Sequence, residues 1–243
     1  MPSSVLVISA TDGYRHESIE TGIAYLRTHS STYTFTFTET PNDIFEHKER
    51  LLAYNALLFL SSIGPILSQA SLANLAAYTS YPSKAVVGIH SATATCSESA
   101  SFRTIFGTTF DYHPDLQTAT VYRLPEGAAH ASTESFPEKV KIEDEWYNFT
   151  SDPRETGVKL LLAVDDESYV DEGERLVLEP HPVAWFREED VEGAEVVGEE
   201  EGKGKRKCRC RVWYTSLGHS KEIWGEEVFV RHVMEGLRWA TRS

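Results

Sequence analysis

The stretch Val5-Leu-Val-Ile-Ser9 is a continuous apolar run near the start of the chain. Such a run is typical of a strand that is buried on both faces of a parallel sheet. The runs Ala56-Leu-Leu-Phe-Leu60 and Ala85-Val-Val-Gly-Ile89 repeat the pattern, and Tyr33-Thr-Phe-Thr-Phe-Thr38 alternates strictly. These four stretches predict four strands in the first part of the chain.

Helical patterns separate the predicted strands. Ile19, Ile23 and Leu26 recur at the spacing of one helix face, and Ser68 is a typical N-cap for a further helix. Strand and helix therefore alternate about every 25–30 residues, which predicts right-handed crossovers and a parallel sheet.

The second half of the chain has a different pattern, with few helices between its strands. Strand-like segments are 118–124, 159–164, 183–186 and 212–217, and the last helix is predicted over Glu226–Ala240. We therefore predict one α/β domain over 1–243, in three layers, with a mostly parallel central sheet flanked by helices. Additional antiparallel strands belong to its C-terminal half.

A charged segment over Arg187–Arg211 differs in composition from the rest of the chain. It contains Gly198-Glu-Glu-Glu-Gly202 followed directly by Lys203-Gly-Lys-Arg-Lys207. Acidic and basic blocks on either side of glycines predict an exposed hairpin insertion with oppositely charged arms. The segment is interpreted either as a solvated insertion or as a docking arm.

Charge and the chain ends narrow the class of partner. The 243 residues carry a net charge of −14, which argues against nucleic acid and against an anionic membrane surface as partners. The start of the chain has no basic region before an apolar run, and no stretch reaches the length of a membrane span. The cytoplasm is therefore the expected compartment.

The three cysteines do not form a disulfide framework. Cys208 and Cys210 are separated by one residue, so that on a strand both thiols would lie on one face. This spacing leaves two interpretations open, an incidental thiol pair or a metal site, and the usual zinc spacing is missing.

Candidate site residues follow from the predicted sheet, because ligands of open α/β sheets bind beyond the carboxyl ends of the strands. His16 follows the first strand, and His90 follows the strand that ends at Ile89. Two further segments, 143–149 and 213–219, combine aromatic residues with carboxylates, an amide and a histidine. Aromatic faces with such polar groups suit a carbohydrate ligand.

Other chemistries have little support in the sequence. Neither a Gly-x-Ser-x-Gly elbow nor a phosphate-binding glycine loop is present. A divalent metal stays possible as a cofactor, because the residues that bind a metal ion need not be close in sequence. The candidates are His16, His90, His113, Glu145 and His219.

Taken together, six short motifs in order make the chain resemble the ThuA-like (trehalose utilization) family. They are Gly13-Tyr-Arg-His-Glu-Ser-Ile19, Gly88-Ile-His-Ser-Ala92, Tyr112-His-Pro114, Asp144-Glu-Trp-Tyr-Asn-Phe149, His181-Pro-Val-Ala-Trp185 and Tyr214-Thr-Ser-Leu-Gly-His219. The resemblance implies the flavodoxin-like fold of class I glutamine amidotransferases. His90 stands where those enzymes carry their cysteine, so glutaminase activity is not implied.

The resemblance further implies an enzyme of disaccharide or glycoside metabolism, acting on a glycoside or 3-keto-glycoside without a cysteine nucleophile. We expect His90 and His219 as the acid–base pair, Glu145 as orienting group or base, and His16 with Arg15 on a substrate oxygen. The sugar site is expected to contain Tyr112, His113, Trp146, Tyr147, Asn148 and Trp185. Tyr112 and the long insertion depart from the family pattern.

Two alternatives stay open: a metal-dependent version of the same chemistry, and a sugar-binding module without catalysis. A small saccharide is the expected partner in each case, and the sequence leaves open whether the chain forms a homo-oligomer.

Overall fold

A computed structural model describes residues 2–192 and 207–242 of the chain. The strands are β1 (Ser3–Ile8), β2 (Tyr33–Thr38), β3 (Ala56–Leu60), β4 (Ala85–Ile89), β5 (Gln117–Arg123), β6 (Lys139–Asp144), β7 (Lys159–Val164), β8 (His181–Arg187), β9 (Val191–Glu192), β10 (Lys207–Cys208) and β11 (Arg211–Thr215). The helices are α1 (Ser18–Arg27), α2 (Asn42–Phe45), α3 (Lys48–Leu52), α4 (Gln69–Thr79), α5 (Ala100–Phe106), α6 (Ala131–Glu134) and α7 (Glu227–Thr241).

Nine of these strands form one mixed sheet, in the order β2-β1-β3-β4-β11-β8-β7-β5-β6. The pairings from β2 to β11 are parallel, and those from β11 to β6 are antiparallel. The α/β class is therefore confirmed, but the expectation of a mostly parallel sheet is wrong. Parallel strands need a long crossover connection, usually a helix, and few helices lie between the strands from β5 to β8, which pair antiparallel.

The strands and helices predicted from apolar patterns in the first half are confirmed. Ser68 caps α4, its side chain accepting a hydrogen bond from the backbone N–H of Ser71. Strand β6 and helix α5 were not predicted, and the strand expected over 212–217 ends at Thr215. The next residues form the turn that leads to the candidate site.

Alternate residues of β1 pack into two separate hydrophobic clusters. Val5 shares its cluster with Leu237 of α7, whereas Leu6 shares its cluster with Leu75 of α4. Burial on both sides is the reason that the strand is apolar at every position.

The charged segment is described only at its two ends. Strands β9 and β10 pair antiparallel, with Val191 opposite Cys208. The expected hairpin insertion otherwise falls on residues 193–206, which lie outside the described residues.

The buried thiols of Cys208 and Cys210 are free and lie 3.8 Å apart. Arg187 donates a hydrogen bond from Nη2 to Cys208 Sγ at 3.2 Å. Within the described ranges no third metal-ligating side chain joins the two thiols. None of the described helices is both long enough and apolar enough to cross a bilayer.

Candidate functional site

Four side chains from distant parts of the chain converge at the carboxyl ends of β1, β4 and β11. They belong to His16, His90, Glu145 and His219, and one potential ligand atom from each lies within 4.8 Å of the others. His16 follows β1, His90 follows β4 and His219 follows β11, as the edge of a parallel sheet requires. Three imidazoles and a carboxylate at this spacing could carry acid–base chemistry or hold a metal ion.

His90 occupies a sharp turn between β4 and the short 3-10 helix that begins with it. Its φ of +55° is in the left-handed region, which non-glycine residues seldom adopt outside functional sites. Gly88 makes the approach of neighbouring rings feasible, because a Cβ there would lie 2.5 Å from the Phe106 ring. His90 Nδ1 donates to the Ser216 carbonyl at 2.8 Å, so Nε2 of the neutral ring carries the lone pair.

His16 faces His90 from the loop after β1. The two Nε2 atoms are 3.1 Å apart, and the rings meet edge to face. Burial, together with the neighbouring His90, lowers the pKa of His16 to about 3, so this imidazole is neutral at pH 7. Its Nδ1 is buried and has no hydrogen-bond partner.

Glu145 and His219 form an ion pair on the more open side of the cluster. Glu145 Oε1 lies 3.1 Å from His219 Nδ1, and Oε2 lies 3.4 Å from His90 Nε2. Burial opposes ionisation of Glu145, but His219 and His90 together hold the pKa of this carboxyl well below its usual range. Burial likewise opposes the charge on His219, but Glu145 raises the pKa of this imidazole above its usual value.

Asp144 holds Glu145 and His219 together, a role that the sequence did not reveal. Its fully buried carboxylate accepts hydrogen bonds from the backbone N–H groups of Glu145 (2.8 Å), Gly218 (2.8 Å) and His219 (3.2 Å). Burial raises its pKa. Its sequence signals were its place next to Glu145 and its position at the start of the motif over 144–149, and neither indicates this role.

Tyr147 and His113 line one side of the cluster. The hydroxyl of Tyr147 lies 2.9 Å from His90 Nε2, and its ring stacks on that of His113 with centroids 5.7 Å apart. His113 Nε2 is 3.4 Å from Glu145 Oε2, and a third of its side chain is exposed. His181 fixes the segment from behind, since its Nε2 lies 2.9 Å from the carbonyl oxygen of Tyr147.

Tyr112 and Asn148 meet at a carboxylate that the sequence did not single out. The Tyr112 hydroxyl and the Asn148 amide both donate to Asp171, at 3.2 and 2.9 Å. Tyr112, Asp171 and His113 line an open groove, and His113 connects this groove to the histidine cluster.

Arg15 is directed away from the cluster, although the sequence placed it on a substrate oxygen. Its guanidinium donates to the carbonyl of Ser9 and pairs with Glu20 and Glu39. The side chain next to the cluster is that of the preceding residue, Tyr14. Its ring is 63% exposed and meets the His16 ring at 4.8 Å, and its exposed aromatic character was the overlooked signal.

Trp146 and Trp185 lie in the hydrophobic core and not in the sugar site expected from the sequence. Both side chains are fully buried, and their indole N–H groups donate to the backbone carbonyls of Gln117 and Phe106. We therefore assign them to packing, since both rings belong to the hydrophobic clusters and their N–H groups are satisfied by the backbone.

The model of the ThuA family, described as trehalose utilisation, matches residues 4–240. The chain belongs to the ThuA family. Membership over nearly the whole chain indicates a role in carbohydrate metabolism. A search of the curated proteins finds no match for this ThuA-family chain.

Solved structures of ThuA-like proteins share the fold. One from Bacteroides uniformis is 17% identical, with a TM-score of 0.74 over 98% of this chain and 91% of that one. Another, from Parabacteroides merdae, is 16% identical, with a TM-score of 0.70 over 99% of this chain and 90% of that one. At such identities the likeness shows the fold alone.

Proposed function

We propose that this ThuA-family protein is a carbohydrate-active enzyme that cleaves or isomerises a glycoside or 3-keto-glycoside by histidine–carboxylate acid–base chemistry. The observation that carries the proposal is the convergence of His16, His90, Glu145 and His219 in one site. General acid and general base groups within a few ångströms of each other can act on adjacent atoms of one sugar ring.

His90 has the geometry of the base. The Ser216 carbonyl can only accept a hydrogen bond, so it fixes the proton of the neutral ring on Nδ1 and leaves the lone pair of Nε2 toward the site. A ketone acidifies the neighbouring C–H bond of a keto-sugar. His90 takes this proton, and the electron pair forms a C=C bond as the glycosidic C–O bond breaks.

His219 has the geometry of the acid. Its contact with Glu145 favours the imidazolium form, and part of its side chain is open to solvent. It donates its proton to the departing glycosidic oxygen, so that an alcohol leaves. Glu145 orients the imidazolium toward the site, and the neutral His16 lies on the buried side of the site, next to His90.

Aromatic side chains near the cluster suit the faces of a sugar ring. Tyr14 offers an exposed ring beside His16, and on the other side His113, which stacks on the buried Tyr147, offers a partly exposed ring. Rings of this kind, next to a few converging polar groups, are typical of small-molecule sites.

The proposal is tested by incubating the protein with glycosides, disaccharides and their 3-keto derivatives and following release of the aglycone or of the second sugar. We expect turnover of at least one keto-glycoside, reduced at least 100-fold in His90→Ala and in Glu145→Gln. The exposed His47 serves as a control, and His47→Ala is expected to keep full activity.

A sugar-binding module without catalysis predicts a different result. Saccharides would then raise the melting temperature of the protein while no substrate is consumed. Turnover that is unchanged in His90→Ala would remove this residue from the mechanism.

A further inference from the structure

The atoms at the centre of the histidine cluster are mostly acceptors. With Nδ1 of His90 donating to Ser216, the lone pair on His90 Nε2 faces Glu145 Oε2 at 3.4 Å. Neither atom can donate to the other when the imidazole is neutral and the carboxylate is ionised. Two acceptors that face each other in a buried site destabilise it unless a proton donor or a cation lies between them.

Unsatisfied atoms surround the same point. Glu145 Oε2 is buried and makes no hydrogen bond, and His219 Nδ1 has only its ion-pair contact with Glu145 Oε1, at 3.1 Å. Glu145 is 92% removed from solvent and His90 fully. The Nε2 atom of His90 has one lone pair, to which the Tyr147 hydroxyl can donate at 2.9 Å, while His16 Nε2 lies 3.1 Å from the same atom. Glu145 Oε2 is left without a donor. A proton would satisfy one pair of these atoms, whereas a metal ion satisfies all four ligands.

We propose that His16, His90, Glu145 and His219 bind one divalent transition-metal ion. In a tetrahedral site with bonds of about 2.1 Å, neighbouring ligand atoms lie about 3.4 Å apart. The observed separations of 3.1 and 3.4 Å, and the outer limit of 4.8 Å, require only small side-chain adjustments. Three imidazoles with one carboxylate favour zinc or iron over magnesium or calcium, which prefer oxygen ligands.

Neighbouring groups hold the proposed metal ligands in position. The Ser216 carbonyl orients the His90 ring, and Asp144 fixes the backbone on which Glu145 and His219 are carried. Outer partners of this kind orient the ligands of metal sites and raise their affinity. Bound metal would polarise a sugar carbonyl or activate water.

The metal site rests on the same four side chains as the proposed function, and a bound ion would take up the free lone pair of His90 Nε2 and act on the sugar as a Lewis acid in its place. Its test needs no substrate. Protein purified without a histidine tag is analysed for metal by mass spectrometry, then stripped with a chelator and titrated with Zn²⁺ and Mg²⁺ by calorimetry. We expect about one Zn²⁺ per chain and no comparable heat with Mg²⁺.

Variants separate this site from adventitious binding. We expect His90→Asn and His219→Ala to weaken Zn²⁺ binding at least 100-fold, and the exposed His47→Ala to leave it unchanged. Asn tolerates the left-handed backbone at position 90, and His219 is partly exposed, so both variants are expected to fold.

A wild-type protein that neither contains nor binds Zn²⁺ would overturn the metal site, as would equal affinity in all three variants. Keto-glycoside turnover that depends on His90, in protein that neither contains nor binds Zn²⁺, overturns the metal site and leaves the proposed function standing. Stoichiometric metal without turnover supports the metal site and counts against the proposed substrate.

Discussion

The buried carboxylate of Asp144 accepts a hydrogen bond from the backbone N–H of Gly218 at 2.8 Å, and this contact joins the end of β6 to the turn after β11. The two strands are not neighbours in the sheet. The bond therefore sets the distance between Glu145, which follows Asp144, and His219, which follows Gly218.

Replacing Asp144 by alanine is expected to destabilise the protein. Three backbone N–H groups lose their acceptor in a buried place, and we expect a loss of about 3 kcal/mol in the free energy of unfolding. Urea denaturation measures this change, and the exposed neighbour Glu143 supplies the control. Glu143→Ala is expected to stay within about 0.5 kcal/mol of the wild type; equal losses in both variants would contradict the assignment.

Tyr147→Phe is expected to reduce activity more than stability. The variant loses the hydroxyl that lies 2.9 Å from His90 Nε2 but keeps the ring that packs against His113 and Phe110. We expect kcat/KM to fall about tenfold and the free energy of unfolding to change by about 1 kcal/mol or less. An unchanged kcat/KM would show that this hydroxyl only packs against the imidazole.

Tyr14→Ala is expected to raise KM, since the exposed ring beside His16 would bind the sugar before and during the reaction alike. Loss of such uniform binding raises KM about five- to tenfold and leaves kcat within about twofold. Tyr81 is also exposed, at 40%, and is the control. Tyr81→Ala should leave both constants unchanged; a fall in kcat for Tyr14→Ala would instead place this ring in the chemical step.

The sequence predicted the part of the site that parallel strands create. His16 and His90 follow buried apolar runs, and the ends of parallel strands share one edge, so their proximity was predictable. Glu145 was found by composition, and its role beside the histidines was expected only from the family resemblance. Strand patterns could not predict its contact with His219, because β6 lies at the far edge of the sheet. The contact depends on hydrogen bonds between distant segments, which leave no local pattern.

The strands and strand pairings that the sequence did not predict have a similar explanation. Apolar runs revealed β1, β3 and β4 because each is buried on both sides, whereas Lys139–Asp144 of β6 contains only two apolar residues, Val140 and Ile142, among four charged ones. The parallel pairing of β11 with β4 joins residues far apart in sequence. Periodicity indicates strands but carries no information on which strand is the neighbour.

Acid is expected to destabilise the fold through His130 and His232. Burial, and for His130 also Arg242, lowers the pKa of each to about 4, below the value of about 6.5 in an unfolded chain. Between pH 6.5 and 4 the unfolded state binds more protons, so the free energy of unfolding falls as pH falls. Each histidine contributes about 2 kcal/mol of this loss between pH 7 and 4.5.

Urea denaturation at several pH values checks this expectation. His232→Gln removes one titrating group and should make the decline shallower, while the exposed His47→Gln should leave it unchanged. A decline of equal slope in His232→Gln would contradict the assignment to that histidine.

Gly88→Ala tests whether the packing beneath His90 determines the position of its imidazole. The added Cβ would lie 2.5 Å from the Phe106 ring and 2.9 Å from the Tyr214 ring, so the end of β4 must move. We expect a loss of about 1–3 kcal/mol in the free energy of unfolding, with a fall in kcat as His90 shifts. Gly225→Ala is the matched control, because nothing lies within 4 Å of its added Cβ. Activity that survives in Gly88→Ala despite the lost stability would show that His90 keeps its place by its bond to Ser216 and not by this packing.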